Sequence, residues 1–257
     1  MTEETYLICE DSIEGVFTGI YDAYALRRGH EHLHIQIGGE ENLRLFASYL
    51  YITPDLVKTG KVAETIQKRL GTDTYMSLCR ALAAEDAEKG QAVYQTVVDG
   101  ITRGSGKRVL ENSLNPYVDA VFRLSRRTSN EIHHLMEFIR FQELEQGILY
   151  AKTGPRCNIV SFLMPHFADR LPLENFIIYD EKRDLYGVHP KGKPWYLVSG
   201  TELPPEELRM SGREAQYQEL FTMFCRTAAI RERRNLKLQQ QMLPLRFQEY
   251  MAEFDKK

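Results

Sequence analysis

The chain has 257 residues, of which 43% are hydrophobic and 27% are charged, and its formal net charge is −3. This length is sufficient for a well-buried core, organised either as one large domain or as two lobes. Proteins that coat nucleic acid with most of their surface are usually basic. The acidic balance therefore restricts any nucleic-acid contact to a local patch.

Cysteine usage and hydropathy indicate a cytoplasmic protein. The four cysteines, Cys9, Cys79, Cys157 and Cys225, form no Cys-x-x-Cys pair, so neither a zinc ribbon nor an iron–sulfur cluster is predicted. Scattered single cysteines are typical of a reducing compartment. The first residues are acidic, and no apolar run approaches the roughly 20 residues that a membrane span requires. We expect no membrane segment, no metal and no cofactor.

Residues 1–127 are interpreted as a mostly helical lobe. Apolar or alternating runs predict strands at residues 5–10, 32–37 and 45–53. Helical spacing of apolar side chains predicts helices in five further segments. These segments are residues 13–24, 63–70, 75–84, 91–102 and 116–127.

Residues 128–257 are interpreted as a mixed α/β lobe, with no sharp boundary before it. Thr128 and Glu131 have the spacing of a capping box and predict a helix start. Residues 138–144 then alternate like a strand, and a turn containing Gly147 leads to a second strand at 148–153, which predicts a hairpin.

The remaining chain adds short strands and helices. Strands are predicted at 176–180, 185–189 and 194–198, and Ser211 with Glu214 forms the capping box of an amphipathic helix. The predicted fold class is α+β, with a small antiparallel sheet, packed helices and a helix-rich N-terminal lobe.

The most specific stretches of the chain are Gly106-Lys107-Arg108-Val109, His133, residues 138–144, Tyr150-Ala151-Lys152, Pro155, Asn158, residues 165–170, Asp180, residues 224–227, residues 231–235 and Leu243-Pro244. In these stretches the chain resembles an uncharacterised bacterial family labelled as DNA metabolism proteins. Members of that family are typically encoded beside a radical SAM protein assigned to DNA modification or repair. In some bacteria the domain is fused to a uracil-DNA glycosylase-like domain. The resemblance implies an accessory protein of DNA metabolism or repair that binds nucleic acid, a radical SAM partner, or both, but it carries no established chemistry.

A basic run near the C-terminus is the first candidate nucleic-acid contact. Six cationic side chains stand against Glu232 alone, which gives this run a local net charge of +5. They are Arg226, Arg231, Arg233, Arg234, Lys237 and Arg246. Arginine forks suit phosphate, whereas arginines near a helix end also complement the helix dipole. The family resemblance favours the phosphate interpretation.

The predicted hairpin is the second candidate contact. Arg140 and Lys152 lie among the aromatic residues Phe138, Phe141 and Tyr150. Aromatic rings beside cations suit base stacking next to phosphate contacts. The expected partner is therefore DNA, with a preference for single-stranded or unpaired regions.

Three histidine groups suggest alternative chemistry. On a helix, His166, Asp169 and Arg170 would converge, and histidine could serve as an acid or base, so an enzyme acting on nucleic acid is the alternative function. A structural histidine in a polar network is the competing interpretation.

The other two groups are weaker metal candidates. His133 with Glu137 has the spacing of half a metal site, which supplies too few ligands. His30, His32 and His34 would line one face of a strand, where a solvent-facing edge is favoured over a metal site.

Overall fold

A computed structural model describes residues 4–38, 45–200, 209–228 and 235–254. The chain forms two compact units that divide between Asn130 and Glu131. Each unit combines helices with a small sheet, so the α+β class predicted from the sequence is confirmed.

The first unit contains a three-stranded parallel sheet in the order β2-β1-β3. The strands are β1 (Glu4–Cys9), β2 (Leu33–Ile37) and β3 (Ala47–Tyr51). The helices are α1 (Ile13–Ala25), α2 (Leu56–Leu70), α3 (Thr72–Ala83), α4 (Lys89–Ile101) and the greater part of α5 (Pro116–Phe138), with short 3-10 helices at His30–His32 and Gly106–Glu111. The apolar strand β1 is central and almost wholly buried, as expected of a parallel strand covered on both faces.

The three histidines near β2 do not share a strand face. His30 and His32 lie in the 3-10 helix, and only His34 belongs to β2. His32 Nδ1 and His34 Nε2 lie 3.0 and 2.7 Å from the two carboxylate oxygens of Glu4, whereas His30 Nδ1 lies 2.7 Å from the hydroxyl of Tyr94. Among the residues that the structure describes, no group of three or more acidic, histidine or cysteine side chains is arranged to hold a metal ion.

The second unit contains a five-stranded sheet in the order β4-β5-β6-β7-β8. The strands are β4 (Gln142–Glu143), β5 (Leu149–Thr153), β6 (Phe176–Asp180), β7 (Leu185–His189) and β8 (Tyr196–Ser199). The helices are α6 (Val160–Arg170), α7 (Gly212–Ala228), α8 (Leu236–Met242) and α9 (Leu245–Gln248), followed by a 3-10 helix at Ala252–Phe254. Three strand pairs are antiparallel, whereas β5 and β6 are parallel and are connected through α6.

The C-terminal half of α5 differs from two of the sequence predictions. The helix runs without a break from Pro116 to Phe138, so the helix start predicted at Thr128 is wrong: Thr128 is a fully buried residue inside the helix. The strand predicted over residues 138–144 shortens to Gln142–Glu143. Phe138 stays helical because its ring packs 6.0 Å from that of His134 and 6.2 Å from that of Phe247, on the α5 face.

The predicted hairpin is confirmed in this shorter form. Gln142 pairs with Tyr150 and Glu143 with Leu149 in an antiparallel register. Gly147 occupies the turn with a φ of 71°, a left-handed conformation that glycine adopts without strain.

The start of α7 confirms half of the predicted capping box. The backbone N–H of Glu214 donates to Ser211 Oγ at 3.0 Å. The carboxylate of Glu214 does not return to Ser211 but accepts the backbone N–H of Glu143 at 3.2 Å. This bond ties α7 to β4.

Within the described ranges, no helix combines the length and apolar character needed to cross a bilayer.

Gly187 allows α6 to approach the sheet, which generates a stability prediction. A Cβ at this position of β7 would lie 2.4 Å from Met164 Sδ and 2.8 Å from Val160 Cγ1, both on α6. We expect Gly187→Ala to lower the free energy of unfolding by about 1–3 kcal/mol through overpacking, measured by urea denaturation. Gly212→Ala is the control, because nothing lies within 4 Å of an added Cβ there. Equal losses in both variants would contradict this account.

Candidate functional site

The carboxyl ends of the parallel strands β5 and β6 form the candidate site. In open α/β sheets, ligands bind beyond the carboxyl ends of parallel strands. Here Thr153 and Asp180 are register partners at the ends of the two strands. We call this region the β5–β6 edge and define it as residues 152–158 and 180–183.

A buried carboxylate holds the loop that leaves β5. Glu131 of α5 is 3% exposed. Its Oε1 accepts the backbone N–H of Arg156 at 3.1 Å and its Oε2 accepts that of Cys157 at 2.8 Å. Arg246 Nη2 lies 3.2 Å from the same Oε1. Burial raises the pKa of Glu131, but the two backbone hydrogen bonds and Arg246 outweigh it and leave the pKa below its ordinary value.

A second ion pair holds the same loop through its carbonyl groups. Arg183 Nη1 donates to Asp180 Oδ2 at 2.9 Å and to the carbonyl of Pro155 at 3.2 Å, and its Nη2 donates to the carbonyl of Arg156. Asp180 is fully buried, and burial raises the pKa of its carboxyl despite the opposing effect of Arg183. Glu131 thus accepts hydrogen bonds from the backbone N–H groups of residues 156 and 157, and Arg183 donates to the carbonyls of residues 155 and 156. These four bonds fix the backbone of the loop.

A third cluster lies beside the end of β5. Lys152 Nζ lies 2.6 Å from Glu181 Oε2, and the hydroxyl of Tyr250 donates to Glu181 Oε1. Burial raises the pKa of Glu181, but the bonds from Lys152 and Tyr250 bring it below its ordinary value. Gly154 has no Cβ, and one placed there would collide with the Tyr250 hydroxyl.

The predicted phosphate-binding residues of the hairpin are already paired. Arg140 donates to Glu253 Oε1 from Nε at 3.3 Å and from Nη2 at 3.0 Å, and Lys152 is paired with Glu181. The structure therefore does not present Arg140 and Lys152 as a pair of free cations.

The aromatic rings of the predicted hairpin are engaged with other rings. Phe141 makes edge-on contacts with Phe167 and Phe176 at centroid distances of 5.2 and 5.7 Å. Tyr150 stacks with Tyr179 at 6.4 Å. These contacts occupy ring faces and edges that base stacking would need.

The basic run is described only in part. Lys237 is exposed on α8, and Arg226 belongs to α7. Arg231, Arg233 and Arg234 lie outside the described residues. Arg246 is not available for phosphate in this arrangement, because it is the partner of the buried Glu131.

Two cations that sequence reasoning missed lie on the β5–β6 edge. The side chains of Arg156 and Lys182 are exposed, and neither forms a salt bridge or hydrogen bond with another side chain in the described part of the chain. Their loops are adjacent, because Arg183 bonds to the carbonyl of Arg156 and the N–H of Glu181 donates to the carbonyl of Thr153 at 3.0 Å. In the sequence each is a single cation with no motif around it. The one signal for their proximity is that Arg156 follows β5 and Lys182 follows β6, the next strand in the chain.

The residues of the alternative enzyme site lie elsewhere. His166 is half-buried in the second half of α6 with its ring 5.0 Å from that of Phe167, while Asp169 and Arg170 are exposed. No hydrogen bond or ion pair joins these three side chains among the described residues. They occupy the end of α6 that leads into β6, whereas the β5–β6 edge adjoins the first turn.

The half metal site does not assemble either. His133 and Glu137 are both exposed on α5, and the described residues show no bond between them. His134 instead faces inward, with its ring 5.7 Å from that of Phe247.

The chain is thus an α+β protein whose β5–β6 edge has a fixed loop and carries two cationic side chains, Arg156 and Lys182, without a carboxylate partner among the described residues. Residues 87–253 match a domain of unknown function, DUF4130, and the chain belongs to this family. The match begins just before α4 and includes the whole β5–β6 edge. A comparison with curated proteins found no match.

The Glu131 contacts generate a pH-dependent stability prediction. We expect Glu131→Gln to lower the free energy of unfolding by about 3 kcal/mol at neutral pH, because it leaves Arg246 unpaired and one backbone N–H without an acceptor. The folded-state pKa of Glu131 lies below its ordinary value of 4.5, so its contribution is present above that value and is lost as the pH falls through the folded-state pKa.

The measurement is urea denaturation of wild type and variant at neutral and at strongly acidic pH. The difference between them should shrink in acid. Glu137→Gln is the control, since that carboxylate is exposed on the same helix. A difference that stays constant with pH would contradict the assigned role.

Proposed function

We propose that the protein is a nucleic-acid-binding accessory protein of DNA metabolism or repair that contacts phosphate at the β5–β6 edge. The observation that carries the proposal is the pair Arg156 and Lys182, exposed and unpaired on two adjacent loops. Glu131 and Arg183 hold the backbone of the Arg156 loop, so this cation is presented at a defined position.

The charge pairing around the edge supports this proposal. Three carboxylates there already have a cationic partner: Glu131 has Arg246, Asp180 has Arg183 and Glu181 has Lys152, while Asp184, just beyond the edge, accepts the Tyr179 hydroxyl. Arg156 and Lys182 therefore remain as surplus positive charge. An arginine fork and a lysine point charge are both common phosphate ligands.

The basic run extends the proposal. Lys237 is exposed, and Arg226, Arg231, Arg233 and Arg234 add cations in the sequence beside it. Because Phe141 and Tyr150 pack against other rings, the proposal is limited to phosphate contact. Such contact is largely insensitive to base sequence.

The test is a salt titration of binding to fluorescent single- and double-stranded DNA. We expect Arg156→Gln/Lys182→Gln to weaken binding and to reduce the salt slope by roughly 1.4 to 1.8, because each lost phosphate contact contributes roughly 0.7 to 0.9. Arg231→Gln/Arg233→Gln/Arg234→Gln should reduce the slope by roughly 2 to 3 on the same basis.

The matched control is Lys191→Gln/Lys193→Gln. These exposed lysines follow β7 at the opposite end of the sheet, since His189 pairs with Phe176 at the start of β6. An Arg156/Lys182 variant that folds and keeps the wild-type slope would show that the edge is not the contact surface. Wild type that fails to bind even at low salt would reject direct nucleic-acid binding.

The exposed face of α7 favours a protein partner as the second candidate function. Tyr217, Leu220, Phe221 and Phe224 are 59%, 59%, 43% and 64% exposed and recur at helical spacing. Apolar stripes of this kind commonly bind another protein. The family resemblance suggests a radical SAM protein of DNA modification or repair as that partner.

A pull-down tests this second function. The tagged protein should recover a radical SAM protein of the kind that the resemblance implies, and nuclease treatment should not abolish recovery. Leu220→Glu/Phe224→Glu should lose the partner, whereas Glu219→Gln on the same helix should retain it. Recovery that disappears after nuclease treatment would show that nucleic acid bridges the two proteins and would reject the direct contact.

The enzyme alternative at His166, Asp169 and Arg170 stays a prediction. The described geometry adds no contact among the three side chains that would favour it.

A further inference from the structure

Residues 245–254 form a segment that packs across the end of α5 and beside the β5–β6 edge, and we call it the C-terminal latch. It contains α9 and the 3-10 helix Ala252–Phe254. Phe247 and Met251 are buried and anchor it, and the Phe247 ring lies against those of His134 and Phe138. The latch is therefore docked on this unit by two apolar side chains.

Three polar contacts attach the latch to charged residues of the candidate site. Arg246 pairs with Glu131, which holds the loop after β5. Tyr250 donates to Glu181, which is the partner of Lys152. Glu253 pairs directly with Arg140.

The latch consequently occupies Arg140 directly, whereas it reaches Lys152 only through Glu181, which lies outside the latch. Arg140 is 35% exposed and is bonded by two of its nitrogens to one carboxylate oxygen of Glu253. Lys152 is 50% exposed and is held by Glu181, whose other oxygen accepts the Tyr250 hydroxyl. A phosphate that binds Arg140 through Nε and Nη2 must therefore displace Glu253 of the latch.

The docked position of the latch also leaves three buried polar atoms without a hydrogen-bond partner among the described residues. These atoms are His134 Nδ1, Arg246 Nε and Glu253 Oε2. Buried polar atoms without partners destabilise the arrangement that buries them, because water would satisfy them. Opening the latch would hydrate these atoms, while exposure of Phe247 and Met251 to water and separation of Arg246 from Glu131 would oppose opening.

We propose that the C-terminal latch is an autoinhibitory contact that withholds Arg140 from nucleic acid. Phosphate competes with Glu253 for this guanidinium. Release of the latch adds Arg140 to the contact already made by Arg156 and Lys182. This inference rests on the proposed phosphate binding and adds its regulation.

The test is DNA binding by Tyr250→Phe/Glu253→Gln. The first change removes the hydroxyl that holds Glu181, and the second removes the charge that pairs with Arg140. We expect tighter binding than wild type at low salt and a salt slope steeper by roughly 0.7 to 0.9, for one added phosphate contact at Arg140. Hydrogen exchange of residues 245–254 should be faster in the variant, and faster in wild type when DNA is bound.

The matched control is Tyr196→Phe/Glu219→Gln, which makes the same chemical changes at two exposed side chains, on β8 and α7. If the latch variant is destabilised overall, Glu253→Gln alone provides a milder test, with a steepening of roughly 0.7 to 0.9.

The outcomes separate the two proposals. Binding by wild type, with affinity and slope unchanged in the latch variants, would reject the latch and leave the phosphate site intact. Loss of binding in wild type and all latch variants would reject both. Binding by wild type and by the control, with tighter and more salt-dependent binding by the latch variant, would support both.

Discussion

The buried carboxylate of Glu131 is the interaction on which the second unit depends. It joins three parts of the chain: α5, the loop after β5 and the latch through Arg246. An ionised carboxylate is expensive to bury unless donors surround it. Two backbone N–H groups and a guanidinium supply those donors here, so the position of the loop follows from the requirement to satisfy one charge.

The parallel pairing of β5 and β6 explains why polar groups gather at one edge. The crossover through α6 returns the chain to the start of β6, so both strands end on the same side. Asp180 and Arg183 then meet the loop that Glu131 holds from its other side. A hairpin connection would instead have placed the two strand ends at opposite sides of the sheet.

Pairing of charges, more than their number, determines which cations remain available. The side chains of Arg140, Lys152, Arg183 and Arg246 each contact a carboxylate, whereas those of Arg156 and Lys182 contact none among the described residues. Exposed ion pairs contribute little stability because water competes for both partners. The exposed pair of Lys152 with Glu181 can therefore be exchanged for phosphate at small cost, whereas the pair at Arg140 includes Glu253, which is 10% exposed and reaches water only when the latch opens.

The sequence by itself determined the α+β class, the bounds of β6 and β7, and the cap of α7 at Ser211. These features depend on local alternation and on contacts between near neighbours, which periodicity reports directly. Only the tertiary structure decided that α5 continues to Phe138, because Phe247, far along the chain, packs against that ring. It likewise decided that Arg140 meets Glu253 and that Arg156 and Lys182 stay unpaired. A sequence shows which side chains carry charge, but the partner of each charge depends on which distant segments the fold brings within hydrogen-bonding distance.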